Sequence, residues 1–410
     1  MQTQLAPQYQ GTSDGMAAEA ILRKCVHCGF CTATCPTYQL LGDELDGPRG
    51  RIYLMKQVLE GTVPTRKTQQ HLDRCLTCRN CETTCPSGVQ YGHLLDIGRK
   101  LVDQQVPRPA TERALRWSLK EGLPSPAFGP AMAMGQLLRP MLPKALKNKV
   151  PAKQSAKHWP TGTHERKVLM LAGCVQPSMS PNINSATVRV LDAIGVQTLV
   201  VPKAGCCGAV KFHLNDHDGG MAQMRANIDA WWPFVARGVE GIVMNASGCG
   251  VTVKDYGHIL RDDPAYAAKA KRISELTQDI SEWLPELSKK LHGRVKAKAS
   301  RIAFHPPCSL QHGLQLRGGV EKYMGELGFN VRLTGCEPHL CCGSAGTYSV
   351  LNPAIAYQLR DRKLGALAST FGADKPDQIV SANIGCITHL QSGTATPVRH
   401  WVELLDEALP

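Results

Sequence analysis

Cys25, Cys28, Cys31 and Cys35, followed by Pro36, form a C-x2-C-x2-C-x3-C-P run, and Cys75, Cys78, Cys81, Cys85 and Pro86 repeat it. Three cysteines spaced this way can point thiolates at three corners of an iron–sulfur cube, with the intervening backbone N–H groups available to its sulfides. The fourth corner needs a distant ligand. In two-run proteins the fourth cysteine of each run serves the other cluster, which assigns Cys25, Cys28, Cys31 and Cys85 to one [4Fe-4S] cluster and Cys75, Cys78, Cys81 and Cys35 to a second. The prolines turn the chain away after each crossing ligand. Structural zinc is the competing chemistry, but zinc sites use two separated ligand pairs rather than a triplet followed by proline. His27 lies inside the first run without being needed as a ligand, and is read as a solvent-side or neighbouring group.

The remaining nine of the 17 cysteines are widely spaced. Cys174, Cys206, Cys207 and Cys249 recur as Cys308, Cys341, Cys342 and Cys386, at offsets of 134, 135, 135 and 137 residues. In each copy the vicinal pair is followed by glycine. Adjacent cysteines make strained disulfide partners, yet both thiolates can face one metal or substrate. The second copy adds Cys336, where Val201 stands in the first. These nine residues are the candidates for a further redox or metal centre, with inert buried thiols as the alternative. His213, His305, His339 and His389 lie near enough in sequence to assist, although each alone reads as structural.

Elements must bring these residues together. Pro48–Gly61 reads as one helix with a proline start and a glycine stop, covering the clusters. Arg49 and Arg51 on it read as surface arginines, with tuning of cluster potential as the alternative. In the downstream half, Val168–Leu171, Thr198–Val201 and Gly241–Met244 are predicted strands, with helices over Asn182–Ile194 and Gly220–Arg237. The second copy places strands at Arg301–Phe304, Val331–Leu333 and Gln378–Val380, and helices at Gly319–Leu327 and Asn352–Thr370. Asp279–Leu284 also aligns with Val398–Leu404, so the duplication extends through a whole unit. The fold class is therefore α/β, duplicated, preceded by a small α-helical two-cluster ferredoxin-like domain. The expected divisions are 1–98, a connector over 99–165, 166–295 and 296–410.

Charge supports that division. Lys and Arg exceed Asp and Glu by 13, and the stretch Arg99–Lys167 holds fourteen bases against four acids, so ten of those charges sit in it. A basic excess confined to a proline-rich connector argues against nucleic acid as the partner. Within it, Phe128–Val150 mixes Met132, Met134, Leu137, Leu138, Met141, Leu142 and Leu146 with Arg139, Lys144, Lys147 and Lys149. Such a mixture suits an acidic partner or a phospholipid surface, against the plainer reading of a solvated linker. No secretory signal opens the chain, clustered free thiols fit a cytoplasmic setting, and no apolar run is long enough to span a bilayer; membrane contact, if made, is peripheral at the inner face. Neither a G-x-G-x-x-G after a strand nor a P-loop is present, which argues against hydride or phosphate chemistry on this chain alone.

The order of two ferredoxin-type runs, a basic connector and two CCG units resembles the CCG-type iron–sulfur oxidoreductase family across essentially the whole chain. That family includes iron–sulfur subunits of glycolate oxidase, anaerobic glycerol-3-phosphate dehydrogenase and lactate-utilisation systems, and heterodisulfide reductase subunits. CVHCGFCTATCPTYQLLGDELDGPRGRIYLMKQVLEG, LDRCLTCRNCETTCPSGVQYGHLLDIGR and GCEPHLCCGSAGTYSVLNP are most similar to the glycolate oxidase iron–sulfur subunits. The resemblance implies two [4Fe-4S] clusters here, flavin only on partner 2-hydroxyacid dehydrogenase subunits, and electrons passing toward a respiratory-chain acceptor as glycolate becomes glyoxylate. It assigns no catalytic residue to this chain. Five-cysteine relatives hold unusual clusters at the CCG units, and the four-cysteine first copy departs from that pattern. Lactate or glycerol-3-phosphate oxidation, a CCG-centred thiol or disulfide reductase, and a metal-stabilised scaffold are the competing functions.

Overall fold

Pro48 opens the helix that follows the first cysteine run, where its missing N–H costs nothing, and Gly61, at φ 102°, turns the chain just after its end at Leu59. The computed structural model describes residues 1–143, 147 and 150–410, so Lys144, Leu146 and Lys149 lie outside the described residues. The chain divides into two units, Met1–Arg116 with His339–Leu359, and Trp117–Pro338 with Arg360–Pro410.

The first unit is helical around the cysteine runs. Ile52, Met55 and Leu59 form one apolar face of the Pro48–Leu59 helix and share a core with Leu22, Leu72, Leu94, Leu95 and Val102. The boundary expected after residue 98 falls inside the Tyr91–Gln105 helix, because Leu101 and Val102 continue its buried face. The basic stretch that follows is tied down as well. Arg108, nearly buried, donates to Asp73 at 2.6 Å and to Asp103 at 2.5 Å, and also pairs with Glu112. Part of the connector's charge is therefore spent inside this unit.

The loop of the second CCG copy also belongs here. Tyr348 Oη donates to the carbonyl of Arg74 at 2.8 Å, and Asn80 Nδ2 donates to the carbonyl of His339 at 3.5 Å. This grouping departs from the expected assignment of 296–410 to a single unit, because hydrogen bonds to the loop around Arg74 and Asn80 hold His339–Leu359 in place.

The second unit contains the duplication. β1 (Arg166–Met170), β2 (Val196–Val200), β3 (Gly241–Met244) and β4 (Thr277–Asp279) form a parallel sheet in the order β2-β1-β3-β4. β5 (Ile302–Phe304), β6 (Val331–Leu333), β7 (Gln378–Ser381) and β8 (Val398–His400) repeat it as β6-β5-β7-β8. In the first sheet Val168 sits opposite Gly241, and in the second Ile302 sits opposite Gln378. Buried Leu169, Ile242 and Met244 pack against Met224, Ile228 and Trp231 of the His217–Val235 helix. The copies meet through Asn182 donating to Glu403 at 2.8 Å, Arg189 pairing with Asp406 at 2.6 Å, and Ser247 N–H donating to the carbonyl of Ala382 at 3.1 Å. Cysteines thus follow strands at the edge where parallel α/β sheets place their ligands.

Candidate metal centres

Each ferredoxin-type run folds by bending twice into the left-handed region. His27 and Gly29 have φ of 56° and 85°, and at the corresponding places Thr77 and Arg79 have 53° and 57°. Three of these four carry side chains that disfavour such angles, a strain retained where the backbone must curl around a ligand. The third cysteine of each run lies on a short helix, Phe30–Ala33 or Asn80–Thr84. Cys35 and Cys85 sit at the following helix ends. Asn80 Nδ2 donates to the carbonyl of Thr34 at 3.0 Å, joining the runs head to tail.

That packing interleaves the thiols. Burial first, then Cys25, Cys28 and Cys85 beside it, push the Cys31 thiol up to about 11. Burial first, then Cys78, Cys75 and Cys35 in its surroundings, raise the Cys81 thiol as well. Crowded neutral thiols are the proton-bound counterpart of a metal site: a cation that replaces the protons turns mutual repulsion into ligation. A solvent-open pocket is lined by Cys25, Cys28, Cys31 and Cys85 together with His27 and Arg49. None of the eight cysteines is in a disulfide. Donor set and backbone curl therefore fit a cubane at each group. The Thr77 N–H lies 3.4 Å from Cys75 Sγ, and Tyr91 Oη donates to the same sulfur at 3.7 Å. His27 lines the pocket of the first group, and its Nε2 has no hydrogen-bond partner among the described residues.

One sequence reading is corrected. Arg51 is not a surface arginine: its side chain is 1% exposed and bonded to Thr37, Asp46 and the carbonyl of His71. Arg49, on the same helix, is 39% exposed and pairs with Glu44. A helical pattern shows which positions share a face, but only Asp46 and Thr37, both outside the helix, make burial of a guanidinium tolerable.

In the first CCG copy all four cysteines come together. Cys174 contacts Cys206, Cys206 contacts Cys207, and Cys207 contacts Cys249, in hydrogen-bonding reach of one another. The Cys174 thiol, then that of Cys207 and the N–H groups of Gly208 and Val210, hold Cys206 as a thiolate with its pKa lowered to about 3. Gly208, at φ 91°, opens the Ala209–His213 helix and lies against the carbonyl of Gly220. Asn227 Nδ2 donates to the carbonyl of Cys206 at 2.8 Å, and Tyr256 Oη donates to that of Cys207 at 2.8 Å. A solvent-open pocket lies beside Cys174 and Cys249, with Gln176 and Asn245 in its wall.

The second copy's cysteines are divided between the two units. Cys341 and Cys342 are buried in the first, where the Gly343 N–H lies 3.4 Å from Cys341 Sγ. Cys308, Cys336 and Cys386 belong to the second, Cys336 being exposed. There a ring nitrogen of His305 lies within 4.8 Å of the Cys386 sulfur. Both His305 nitrogens are buried without a hydrogen-bond partner among the described residues, and burial first, then Lys363 and His389, keep the ring neutral. A neutral, unpartnered imidazole beside a thiol has the chemistry of a metal ligand, a role the sequence offered without favouring it.

Residues 21–89 match the 4Fe-4S dicluster domain, and residues 168–254 and 302–391 match the Cysteine-rich domain. The glycolate oxidase iron-sulfur subunit of Escherichia coli K12 is 55% identical to this chain over 411 residues, covering 100% of this chain and 99% of that protein. The chain belongs to the glycolate oxidase iron-sulfur subunit family. The probable glycolate oxidase iron-sulfur subunit of Bacillus subtilis 168 is 29% identical, covering 95% of this chain and 94% of its own length. Lactate utilization protein A of Bacillus cytotoxicus is 26% identical, covering 58% of this chain and 98% of its own length. Members of this family are iron–sulfur subunits, in keeping with the two ferredoxin-type runs and the two cysteine-rich repeats.

Proposed function

We propose that this chain carries electrons within a flavin-dependent glycolate dehydrogenase, taking them from a flavin-bearing partner subunit and passing them toward a respiratory-chain acceptor as glycolate is oxidised to glyoxylate. The observation that carries the reading is the interleaving of eight thiols into two groups, with Cys31 and Cys81 on short helices and the others in the loops and helix ends beside them. Cys25, Cys28, Cys31 and Cys85 hold one [4Fe-4S] cluster, and Cys75, Cys78, Cys81 and Cys35 hold the other. Hydroxyacid oxidation releases two electrons together and a cubane accepts one, so a flavin elsewhere must separate the pair. The substrate comes from the relatives' names, and the conduit from this chain's own residues.

The contact among four thiols in the first CCG copy supports a further metal or iron–sulfur centre at Cys174, Cys206, Cys207 and Cys249. In the second copy the candidate donors are Cys341 and Cys342 in the first unit and, in the second unit, Cys308, Cys336 and Cys386 with His305 beside Cys386.

A peripheral contact with the inner face of the membrane also belongs to this reading. No helix among the described residues is long and apolar enough to cross a bilayer. The Phe128–Leu137 helix and the turn after it expose Met134, Leu137, Leu138 and Met141, spaced as one helical stripe. Between Gly122 and His164 there is no Asp or Glu, and five of the six bases are lysine. Lysine is depleted from protein interfaces but is attracted to anionic lipid, which favours a lipid surface over a protein partner.

Anaerobic purification with bound subunits tests the function. Expected are about eight iron and eight sulfide per chain from the two cubanes, plus any CCG metal, paramagnetic signals on reduction, and glycolate-dependent dye reduction. Cys28→Ala and Cys78→Ala each remove one set of signals; unchanged spectra in both would refute the ligand assignment. Dithiol or disulfide turnover by the chain without a flavoprotein would favour the reductase alternative, and zinc without sulfide the scaffold.

A further inference from the structure

The two cysteine groups sit in unequal electrostatic surroundings. Arg49 borders the first group, but water reaches it and Glu44 Oε1 accepts from its Nε at 2.7 Å. Arg51 borders the second from a dry position. Its Nη1 donates to Thr37 Oγ1 at 3.1 Å, and that hydroxyl lies 3.3 Å from Cys35 Sγ. Its carboxylate partner, Asp46 Oδ1 at 3.4 Å, is shared: Arg74 donates to Asp46 Oδ2 at 2.9 Å, and His71 Nδ1 lies 3.1 Å from Oδ1. One carboxylate thus faces two guanidinium groups.

A second buried cation approaches from the other side. Arg99, 8% exposed, donates to the carbonyls of Cys75 at 2.7 Å and Leu72 at 2.8 Å, and to the Thr77 hydroxyl at 3.1 Å. These acceptors are neutral, and Asp73, the carboxylate that Arg99 also acts on, is held more strongly by Arg108 and Arg116, so much of the Arg99 charge acts on what lies nearby. Cys35 and Cys75, two donors of the second group, are therefore flanked by Arg51 and Arg99.

We infer that Arg51 and Arg99 set the second group's cluster at a higher reduction potential than the first, making it the electron sink of the pair. The inference rests on the reading that both groups hold cubanes. Reduction adds one negative charge and breaks no bond, so a fixed cation stabilises the reduced form directly. In the transfer, one electron leaves the Cys25 group's cluster and enters the Cys75 group's, with no proton or co-reactant. At an effective dielectric of about 20, a unit charge within about 10 Å shifts a one-electron equilibrium about ten-fold or more. Solvent near the exposed Cys28 opposes this by favouring the reduced form of the first cluster. Water screens through a high dielectric, however, whereas the buried guanidinium groups act in a low one. The second group also adjoins the Cys341–Cys342 loop, since Asn80, next to Cys81, bonds the carbonyl of His339. The sink thus stands on the side of Cys341 and Cys342.

The test is an anaerobic redox titration of the full chain followed by paramagnetic resonance, with Cys28→Ser and Cys78→Ser assigning each signal to its group. In the wild-type protein the Cys78-dependent signal is expected to appear first as the potential is lowered. Arg51→Met should lower that midpoint by about ten-fold in the reduction equilibrium, 59 mV for one electron, and leave the Cys28-dependent midpoint in place. Arg51→Lys should retain most of the wild-type value. A Cys28-dependent signal appearing first, or midpoints unmoved by Arg51→Met, would overturn the inference. Should Arg51→Met not fold, the wild-type order decides. Loss of iron and of both signals in the wild-type chain is a different failure, that of the cluster assignment itself.

Discussion

Replacing Gly208 by alanine tests why each vicinal cysteine pair is followed by glycine. Gly208 has φ 91°, and a Cβ there would lie 2.9 Å from the carbonyl oxygen of Gly220 and 3.1 Å from Met224 Cε. The methionine can swing aside, but the carbonyl belongs to the backbone of the His217–Val235 helix. Gly195 is the control, with φ 80° and nothing within 4 Å of its Cβ position. A left-handed alanine costs about 1–2 kcal/mol, offset by about 0.4–1 kcal/mol from the stiffer unfolded chain. Gly195→Ala should therefore lose about 1 kcal/mol or less. Gly208→Ala adds an overpacking cost of about 1–3 kcal/mol, for a total of about 1–4 kcal/mol. The second copy repeats the comparison more severely, since a Cβ at Gly343 would lie 2.5 Å from the Ala356 oxygen, whereas at Gly328 it would meet only Ala297 Cβ at 3.6 Å. Urea midpoints at constant slope, read for all four variants, give the differences. If Gly208→Ala proves no less stable than Gly195→Ala, close approach of the backbone is not what the motif requires.

Three further outcomes follow from buried polar groups. Burial raises Asp279 to about 7, while its Oδ2 has no hydrogen-bond partner among the described residues. Because the folded pKa lies above the unfolded one, its contribution is full below about pH 4 and is lost as pH rises through 7; Asp279→Asn should gain on the wild type over that window by up to about 1.4 kcal/mol per pH unit in urea titrations. Burial pushes Asp73 up, but Arg108 and Arg116 outweigh it and hold the carboxylate below its ordinary range. Arg108→Met should destabilise the first unit by about 3–5 kcal/mol, seen as faster amide exchange in the Tyr91–Gln105 helix. Tyr256→Phe leaves the Cys207 carbonyl without its donor and should cost about 1–3 kcal/mol, with weaker metal retention in the first CCG copy on dialysis against chelator; equal retention would show that this bond does not support the thiols.

What the sequence disclosed and what it hid divide by the range of the interactions involved. Cysteine spacing is local, and the duplication is a comparison of the chain with itself, so the eight ferredoxin-type positions and the repeat were legible. Six strands were expected close to where they lie. β4 and β8 were visible only as an aligned pair, because Thr277–Asp279 and Val398–His400 are too short and polar to show a period. Burial of Arg51 was hidden because its partners, Asp46 and Thr37, come from outside its helix. The connector likewise looked like a free basic linker, since nothing local reveals that Asp73 lies 35 residues away waiting for Arg108. His305 was one histidine among several until its surroundings showed both nitrogens buried and unpartnered.

The interleaved thiols have a consequence for biosynthesis. In the proposed ligand sets the fourth donor of each stands in the other run, so the first run cannot complete its set until the second has been made. Residue 85 must leave the ribosome before the earlier set closes, so assembly machinery meets either an unfilled chain or one ready for both inorganic units.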